Sequence, residues 1–166
     1  MNQHSTSNES ISSPKIGVLL TNLGTPDAPT KAAVKPYLKE FLSDPRVIES
    51  PPPRWLWLLI LNGIILNIRP KKSAKKYQSV WNTHGEGSPL LAISKKQKSA
   101  VDALLNKQSP SKFIVTLGMR YGNPSIGSAL KELESKNCEK ILVLPLYPQY
   151  ASSSTGSTFD AVNNEI

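Results

Sequence analysis

The stretch that decides the fold is Ile141-Leu142-Val143-Leu144-Pro145-Leu146-Tyr147-Pro148-Gln149-Tyr150. Its first part, Ile141 to Leu146, is a short apolar run that ends in turn-forming and aromatic residues, which predicts a buried strand. A segment rich in hydroxyl groups follows, from Ala151 to Thr158. Because open α/β sheets bind their ligands at the carboxyl ends of the strands, this segment is predicted to form part of a ligand site.

Two similar apolar runs precede this strand. Ile16 to Leu20 leads into Asn22, Gly24 and Pro26, and Phe113 to Leu117 leads into residues 118–124. Amphipathic patterns between the runs predict helices, and a last helix is predicted from about Ser157. This alternation indicates parallel βαβ units of an α/β fold, in which a parallel sheet is flanked by helices with right-handed crossovers.

The helix boundaries have their own signals. Thr30 is a typical helix cap, but Pro36 predicts that the following helix begins later or kinks, since proline removes a backbone hydrogen bond. Ser88-Pro89 predicts another helix start, with the serine as cap and the proline in the first turn.

Composition limits the class of protein. The chain has 166 residues, 39% of them hydrophobic and 19% charged, which is typical of one soluble globular domain. Residues 1–14 are polar and rich in serine, which predicts a disordered tail, and they lack the pattern of a secretory signal. The single cysteine, Cys138, excludes an internal disulfide and favours a reducing compartment, so we expect a cytoplasmic protein.

Residues 51–76 interrupt the α/β pattern with an apolar segment that contains Trp55 and Trp57. A helix from Trp55 to Ile68 would be about 21 Å long, too short for a hydrocarbon layer of ~30 Å. A core helix, a lip that receives a flat ligand, and a segment that dips into a membrane surface all stay open. A basic cluster lies at its end, in a chain of formal net charge +8: Arg69, Lys71, Lys72, Lys75 and Lys76.

Several chemistries lack their signatures. The sequence contains neither G-x-x-x-x-G-K-[ST] nor G-x-G-x-x-G after a strand, and its one cysteine and two histidines have no metal-ligand spacing. His84 is more typical of a solvated loop residue than of a base. The basic residues lack interleaved aromatics and a recognition motif, so nucleic-acid binding is not expected.

The segments after the three strands, residues 22–26, 118–124 and 147–158, should gather at one edge of the sheet. Within the second segment, Arg120 and Tyr121 offer a fixed cation and a planar ring. The pair suits an anionic aromatic ligand, and it equally suits a structural hydrogen-bonding role.

Six phrases of the sequence resemble the ferrochelatase family in its Gram-negative bacterial form, in the family's order from about residue 16 to the last residue. They are Leu19-Leu20-Thr21-Asn22-Leu23-Gly24-Thr25-Pro26-Asp27, Phe41-Leu42-Ser43-Asp44, Tyr77 with Ser79-Val80-Trp81, Gly87-Ser88-Pro89-Leu90, Gly118-Met119-Arg120-Tyr121-Gly122, and Leu144-Pro145-Leu146-Tyr147-Pro148-Gln149-Tyr150. The resemblance implies a chelatase-like fold of two Rossmann-like lobes with a porphyrin between them. It implies that residues 15–166 are the first lobe, that residues 51–76 are its apolar lip, and that the C-terminal lobe is absent.

The resemblance also implies a set of porphyrin-contacting residues. Leu23 matches a position on the distal face of the macrocycle, and Arg120 matches an arginine of the inner pocket. The full set consists of Leu23, Arg69, Lys72, Tyr77, Ser88, Arg120 and Tyr121. The lip would contact a membrane peripherally through Trp55 and Trp57.

The activity implied by the resemblance is insertion of ferrous iron into protoporphyrin IX, with Fe²⁺ as substrate and no permanent cofactor. Protoporphyrin is favoured over coproporphyrin. The family's His and Glu lie in the second lobe, so we expect this chain to contact porphyrin without metalating it alone. A [2Fe-2S] cluster is not expected, because Ser152 occupies the matching cysteine position. A non-enzymatic peripheral membrane or porphyrin-binding module stays open as the alternative.

Overall fold

The computed structural model describes residues 14–49 and 52–166. Of the predicted disordered tail, only Pro14 falls within these ranges, so that prediction lies outside the described residues. The strands are β1 (Lys15–Thr25), β2 (Phe113–Gly122) and β3 (Cys138–Pro145). The α-helices are α1 (Lys31–Ser43), α2 (Arg54–Ile60), α3 (Leu66–Val80), α4 (Pro89–Gln108), α5 (Ile126–Ser135) and α6 (Ser157–Asn163), with π-helical turns at Leu61–Ile65 and Ser152–Gly156.

The three strands form one parallel sheet in the order β2-β1-β3. The helices α1 to α4 connect β1 to β2, and α5 connects β2 to β3. The predicted α/β class with a parallel sheet flanked by helices is therefore confirmed. Leu19 and Leu20, which are fully buried, point to opposite faces of the central strand and join two separate apolar clusters.

The first two strands are longer than predicted. Residues expected in loops are paired in the sheet, with Asn22 opposite Met119 and Gly24 opposite Tyr121. Gly24 has φ of 103°, and a Cβ atom there would lie 1.8 Å from the carbonyl oxygen of Tyr121. The glycine therefore permits the close approach that carries the pairing to the sheet edge.

The third strand is not buried as predicted. Leu142 and Leu144 are 57% and 44% exposed. Within residues 14–49 and 52–166, β3 pairs only with β1 and forms an edge of the sheet, so part of its apolar surface is uncovered. Burial of a strand depends on its place in the sheet, which its own residues do not reveal.

The helix α1 begins at Lys31 despite Pro36, so the predicted late start is wrong. The hydroxyl oxygen of Thr30 accepts a hydrogen bond from the backbone nitrogen of Ala33, at 3.2 Å. Pro36 lies inside the helix, whose buried face includes Val34 and Leu38. Packing of that face against the molecule stabilises the helix despite the lost backbone bond.

The apolar insertion is helical from Arg54 to Val80, through α2, a π-helical turn and α3. Asn62 and Asn67 lie around the π-helical turn and donate side-chain hydrogen bonds to carbonyl oxygens four residues earlier. Leu61 is fully buried, whereas Trp55 is 68% exposed. The segment thus packs into the core through Leu61 and also exposes apolar side chains such as Trp55. No helix in the described ranges is long and apolar enough to cross a membrane.

Candidate ligand-binding site

A cleft of about 530 Å³ lies between α1 and α3. These two helices pack directly against each other. The cleft is lined by Tyr37, Leu38 and Phe41 of α1 and by Arg69, Lys72, Ser73, Lys76, Tyr77 and Val80 of α3. It is therefore formed by the end of the apolar insertion and the first helix of the fold.

The lining residues of α3 lie on one helical face. From Arg69 to Val80 they follow the spacing i, i+3, i+4, i+7, i+8 and i+11, which places them along one side of the helix. The structure thus brings Arg69, Lys72 and Tyr77 together, three of the residues that the sequence indicated. Lys71 and Lys75 fall outside this spacing.

Aromatic rings form the floor of the cleft. Tyr37 stacks on Phe41 with ring centroids 6.3 Å apart, and Tyr77 meets Tyr37 edge to face at the same distance. The hydroxyl of Tyr37 donates to the carbonyl oxygen of Gly24 at 3.3 Å, and burial raises the pKa of Tyr37 well above its ordinary value. Leu23 packs against the same apolar cluster. Tyr37 is therefore uncharged at neutral pH.

The rim of the cleft is positively charged. Arg69, Lys72 and Lys76 are exposed, and none of them forms an ion pair with a carboxylate in the part of the chain that the structure describes. An aromatic floor beneath unpaired cations is suited to a flat ligand that carries anionic groups at its edge.

Arg120 and Tyr121 lie apart from this rim, in a buried hydrogen-bond network around Asp44. The carboxylate oxygen Oδ2 of Asp44 accepts hydrogen bonds from Arg120 Nη2 at 2.6 Å, Tyr121 OH at 2.7 Å and Ser157 Oγ at 2.5 Å. Its other oxygen accepts from the backbone nitrogen of Arg46 at 2.8 Å. Four donors from three parts of the chain thus meet on one carboxylate.

This network decides between the two roles left open for the pair. The guanidinium carbon of Arg120 lies 4.4 Å from the centroid of the Tyr121 ring, and Phe41 contacts that ring edge to face. Tyr121 is fully buried, so its ring offers no free planar surface to a ligand. The structural role fits Tyr121, and Arg120 donates from both Nε and Nη2 within the protein.

The network also fixes the charge of Asp44. Burial by itself would raise the pKa of this carboxyl, but the hydrogen bonds from Ser157, Tyr121 and Arg46, together with the charge of Arg120, hold it below its ordinary value. Asp44 is therefore ionised at neutral pH and pairs with the Arg120 guanidinium.

Ser88 lines a separate pocket of about 200 Å³, together with Asp27 and Trp81. Trp81 also meets Tyr77 of the cleft edge to face, with ring centroids 6.4 Å apart. The two pockets are therefore neighbours, in contact through this aromatic pair. The structure does not place Ser88 among the residues of the cleft.

The hydroxyl-rich segment after β3 packs largely against the protein. Ser157 and Thr158 are buried, and Arg46 donates to Ser152 Oγ at 3.4 Å and pairs with Asp160. His84 is exposed in a turn, and no group of His, Cys, Asp and Glu side chains within residues 14–49 and 52–166 is arranged to hold a metal ion.

The cleft is also lined by four residues that the sequence did not assign to the candidate site, although Lys76 belongs to the basic cluster and Phe41 to a family phrase: Tyr37, Phe41, Ser73 and Lys76. The helical spacing from Arg69 contains a signal for the rim, since Ser73 and Lys76 follow at i+4 and i+7. The floor residues come from a distant helix, and its contact with α3 is not encoded in either segment alone.

The sheet and its helices define an α/β lobe with an aromatic cleft between α1 and α3, beside which lie Arg69, Lys72 and Lys76. Comparison with known proteins assigns this lobe to a family. The sequence model of the ferrochelatase family matches residues 15–166, so the chain belongs to that family.

Curated relatives have the same family name. A ferrochelatase of Hydrogenovibrio crunogenus is 60% identical over 155 residues, which are 93% of this chain and 41% of that protein. Ferrochelatases of Nitrosomonas europaea and Idiomarina loihiensis are 55% and 57% identical, each over 92% of this chain and 41% of the relative. The chain thus spans about 41% of the length of these relatives.

The Asp44 network leads to a prediction on stability. We expect Asp44→Asn to lower the free energy of unfolding by about 2–4 kcal/mol at pH 7, because it leaves the Arg120 guanidinium without its buried counter-charge. Since folding lowers the pKa of Asp44, the advantage of the wild type should be complete above the unfolded value of about 3.9 and disappear as pH falls through the lower folded value.

Urea denaturation between pH 7 and pH 2.5 would measure this difference. Asp160→Asn is the matched control, because it removes the carboxylate of an exposed ion pair and should have little effect. The assigned role of Asp44 would be contradicted if both variants lost the same free energy of unfolding. It would also be contradicted if the difference between the wild type and Asp44→Asn did not change with pH.

Proposed function

We propose that this protein acts in the insertion of ferrous iron into protoporphyrin IX, and that its α1–α3 cleft binds the porphyrin. The observation that carries the proposal is the aromatic floor of the cleft beneath the unpaired cations Arg69, Lys72 and Lys76. Membership of the ferrochelatase family supports the enzymatic role over that of a non-enzymatic module.

The cleft would hold the macrocycle by two kinds of contact. The porphyrin plane would lie against Tyr37, Phe41 and Tyr77, where burial of apolar area and ring contacts favour binding. Its propionates would reach the rim, where Arg69 offers a planar fork of donors and Lys72 a mobile ammonium.

Further contacts in the proposal come from the other predicted residues. Leu23, at the end of β1, would face the distal side of the macrocycle, and Ser88 would contribute a hydroxyl from the neighbouring pocket. Arg120 would act from the Asp44 network, whereas Tyr121 would support the site from beneath.

Iron enters this proposal as a substrate. Removal of the pyrrole protons requires a base beside the ring nitrogens, whereas the cleft presents cations, neutral phenols and a hydroxyl. We therefore expect this 166-residue chain to bind the porphyrin without metalating it. We also propose that Ser152 serves as a hydrogen-bonding partner of Arg46, with no iron–sulfur cluster at that position.

Fluorescence titration of the 166-residue chain with protoporphyrin IX tests the binding site. We expect saturable binding that Arg69→Gln weakens about five- to tenfold, because it removes a charge-assisted contact at the rim. Lys71→Gln removes the same charge from the same helix outside the cleft and should leave the affinity unchanged within about twofold.

The same samples, supplied with Fe²⁺ under anaerobic conditions, should form no protoheme above the rate without protein. Absence of porphyrin binding, or equal weakening by the two substitutions, would overturn the assignment of the cleft. Protoheme formation by the chain alone would overturn the assigned division between binding and metalation.

We also propose that the protein is cytoplasmic and contacts the inner membrane peripherally through the apolar lip. Of the two tryptophans expected to make this contact, Trp55 is exposed, whereas Trp57 packs against the core and its Nε1 donates to the carbonyl oxygen of Leu42 at 2.9 Å. The observation that favours contact is the exposure of Trp55, Leu59, Ile64 and Ile68 on one segment beside the basic residues of α3. Tryptophan side chains prefer the membrane interface, and basic side chains are attracted to anionic lipids.

Cosedimentation with vesicles of phosphatidylglycerol and phosphatidylcholine tests this contact. Binding should weaken as salt rises and fall at least threefold in Trp55→Ser. Leu104→Ser, which replaces an exposed apolar residue of α4, should bind like the wild type. Equal binding by all three proteins would contradict a role for the lip.

A further inference from the structure

We propose that Trp81 is a positioning residue of the α1–α3 cleft, and that it acts by holding the ring of Tyr77 in the orientation in which this ring lines the cleft. The inference rests on the proposed binding of a porphyrin in the cleft, and it adds a residue outside the cleft on which that binding depends. Trp81 itself would make no contact with the porphyrin.

The ring of Tyr77 contacts two other aromatic rings, each nearly at a right angle. The ring of Tyr37 meets it with centroids 6.3 Å apart and an angle of 89° between the ring planes. The ring of Trp81 meets it with centroids 6.4 Å apart and an angle of 87°. Aromatic quadrupoles favour this edge-to-face geometry, so the two neighbours together restrict the rotation of the Tyr77 ring.

The position of Trp81 in the chain explains its contact with Tyr77. Trp81 directly follows the last residue of α3 and lies four residues after Tyr77, a spacing that brings two side chains together on one face of a helix. Its backbone nitrogen donates to the carbonyl oxygen of Gln78 at 3.4 Å, which keeps the chain close to the last helical turn. The local backbone therefore places Trp81 beside Tyr77.

Trp81 lies outside the cleft. It lines the neighbouring pocket together with Pro26, Leu91 and Pro124, whereas Tyr77 lines the cleft. Pro26 is fully buried, and Leu91 packs against the buried cluster on one face of the sheet. The indole thus lies beside parts of the chain that are fixed to the sheet, and its effect on a ligand of the cleft has to pass through Tyr77.

Tyr77 requires this support more than Tyr37 does. Tyr37 is buried and donates a hydrogen bond to the carbonyl oxygen of Gly24, so it is anchored to the sheet. Tyr77 is only half-buried and faces the open cleft. Loss of the Trp81 ring should therefore allow the Tyr77 ring to turn away from the orientation in which it meets a flat ligand.

A double-mutant cycle between Trp81 and Tyr77 tests this route. Protoporphyrin IX is titrated, by its fluorescence, against the wild-type chain, Trp81→Leu, Tyr77→Leu and the double variant. Trp81→Met supplies a second side chain without a ring, and Trp81→Phe is the conservative variant that keeps one. Far-UV circular dichroism checks that each protein is folded.

We expect Trp81→Leu and Trp81→Met to weaken binding about three- to tenfold, the range of one lost aromatic pair. Trp81→Phe should bind within about twofold of the wild type, because it restores an edge-to-face partner. In the Tyr77→Leu background, Trp81→Leu should change the affinity by less than about 1.5-fold, because the ring through which Trp81 acts is gone.

The orientation of Tyr77 can also be measured without any ligand. Nuclear Overhauser effects between the ring protons of Tyr77 and Tyr37 report the geometry of that pair and do not involve Trp81 protons. The Tyr77 signals are assigned by their absence in Tyr77→Leu. These effects should be present in the wild type and in Trp81→Phe, and they should lose intensity in Trp81→Leu.

The outcomes separate this inference from the proposed function. If the wild type binds protoporphyrin IX, the cleft assignment survives and the role of Trp81 is wrong in any of three cases. Trp81→Leu binds like the wild type or weakens binding equally with and without Tyr77, Trp81→Phe fails to restore binding, or the Overhauser effects are unchanged in Trp81→Leu. If the wild type does not bind the porphyrin, the proposed function fails, and the Overhauser effects alone decide whether Trp81 orients Tyr77.

Discussion

The carboxylate of Asp44 holds together the parts of the chain that position the cleft. It follows the last residue of α1 and accepts hydrogen bonds from the end of β2, from Ser157 at the start of α6, and from the backbone of Arg46. Within the described residues, no other side chain accepts as many hydrogen bonds. Without this carboxylate, α1 would end beside an unpaired guanidinium and a buried phenol.

The hydrogen bonds of Asp44 affect the cleft because they fix the end of α1. The helix runs from Lys31 to Ser43, so its end is fixed by Asp44 and its middle contributes Tyr37 and Phe41 to the floor. Tyr37 is held in addition by the carbonyl oxygen of Gly24, at the edge where β1 and β2 stay paired. The floor is thus fixed to the sheet at two points, while α3 brings the charges from the other side.

The sequence predicted what depends on local pattern and missed what depends on distant contacts. The apolar runs, the cap Thr30 and the helix start at Ser88-Pro89 gave the right order of elements, since each signal lies within a few residues, although Ser88 makes no side-chain capping bond. The exposure of β3 depends on its place at a sheet edge. The pairing of Asp44 with Arg120 joins positions 76 residues apart, and no local signal connects them.

The same difference between local pattern and distant contacts applies to the residues of the candidate site. Arg69, Lys72 and Tyr77 share one helical face and line the same cleft. The motifs group Ser88 and Tyr121 with these residues. The structure places Ser88 in a neighbouring pocket and Tyr121 in the core. Helical spacing alone would have added Ser73 and Lys76.

The central claim is that a porphyrin binds between α1 and α3. Amide hydrogen exchange of the 166-residue chain, with and without protoporphyrin IX, measures the location directly. The account predicts slower exchange in Lys31–Ser43 and Leu66–Val80, with Ile126–Ser135 on the far side of the sheet unchanged. Slower exchange confined to other elements, with these two helices unaffected, would contradict it.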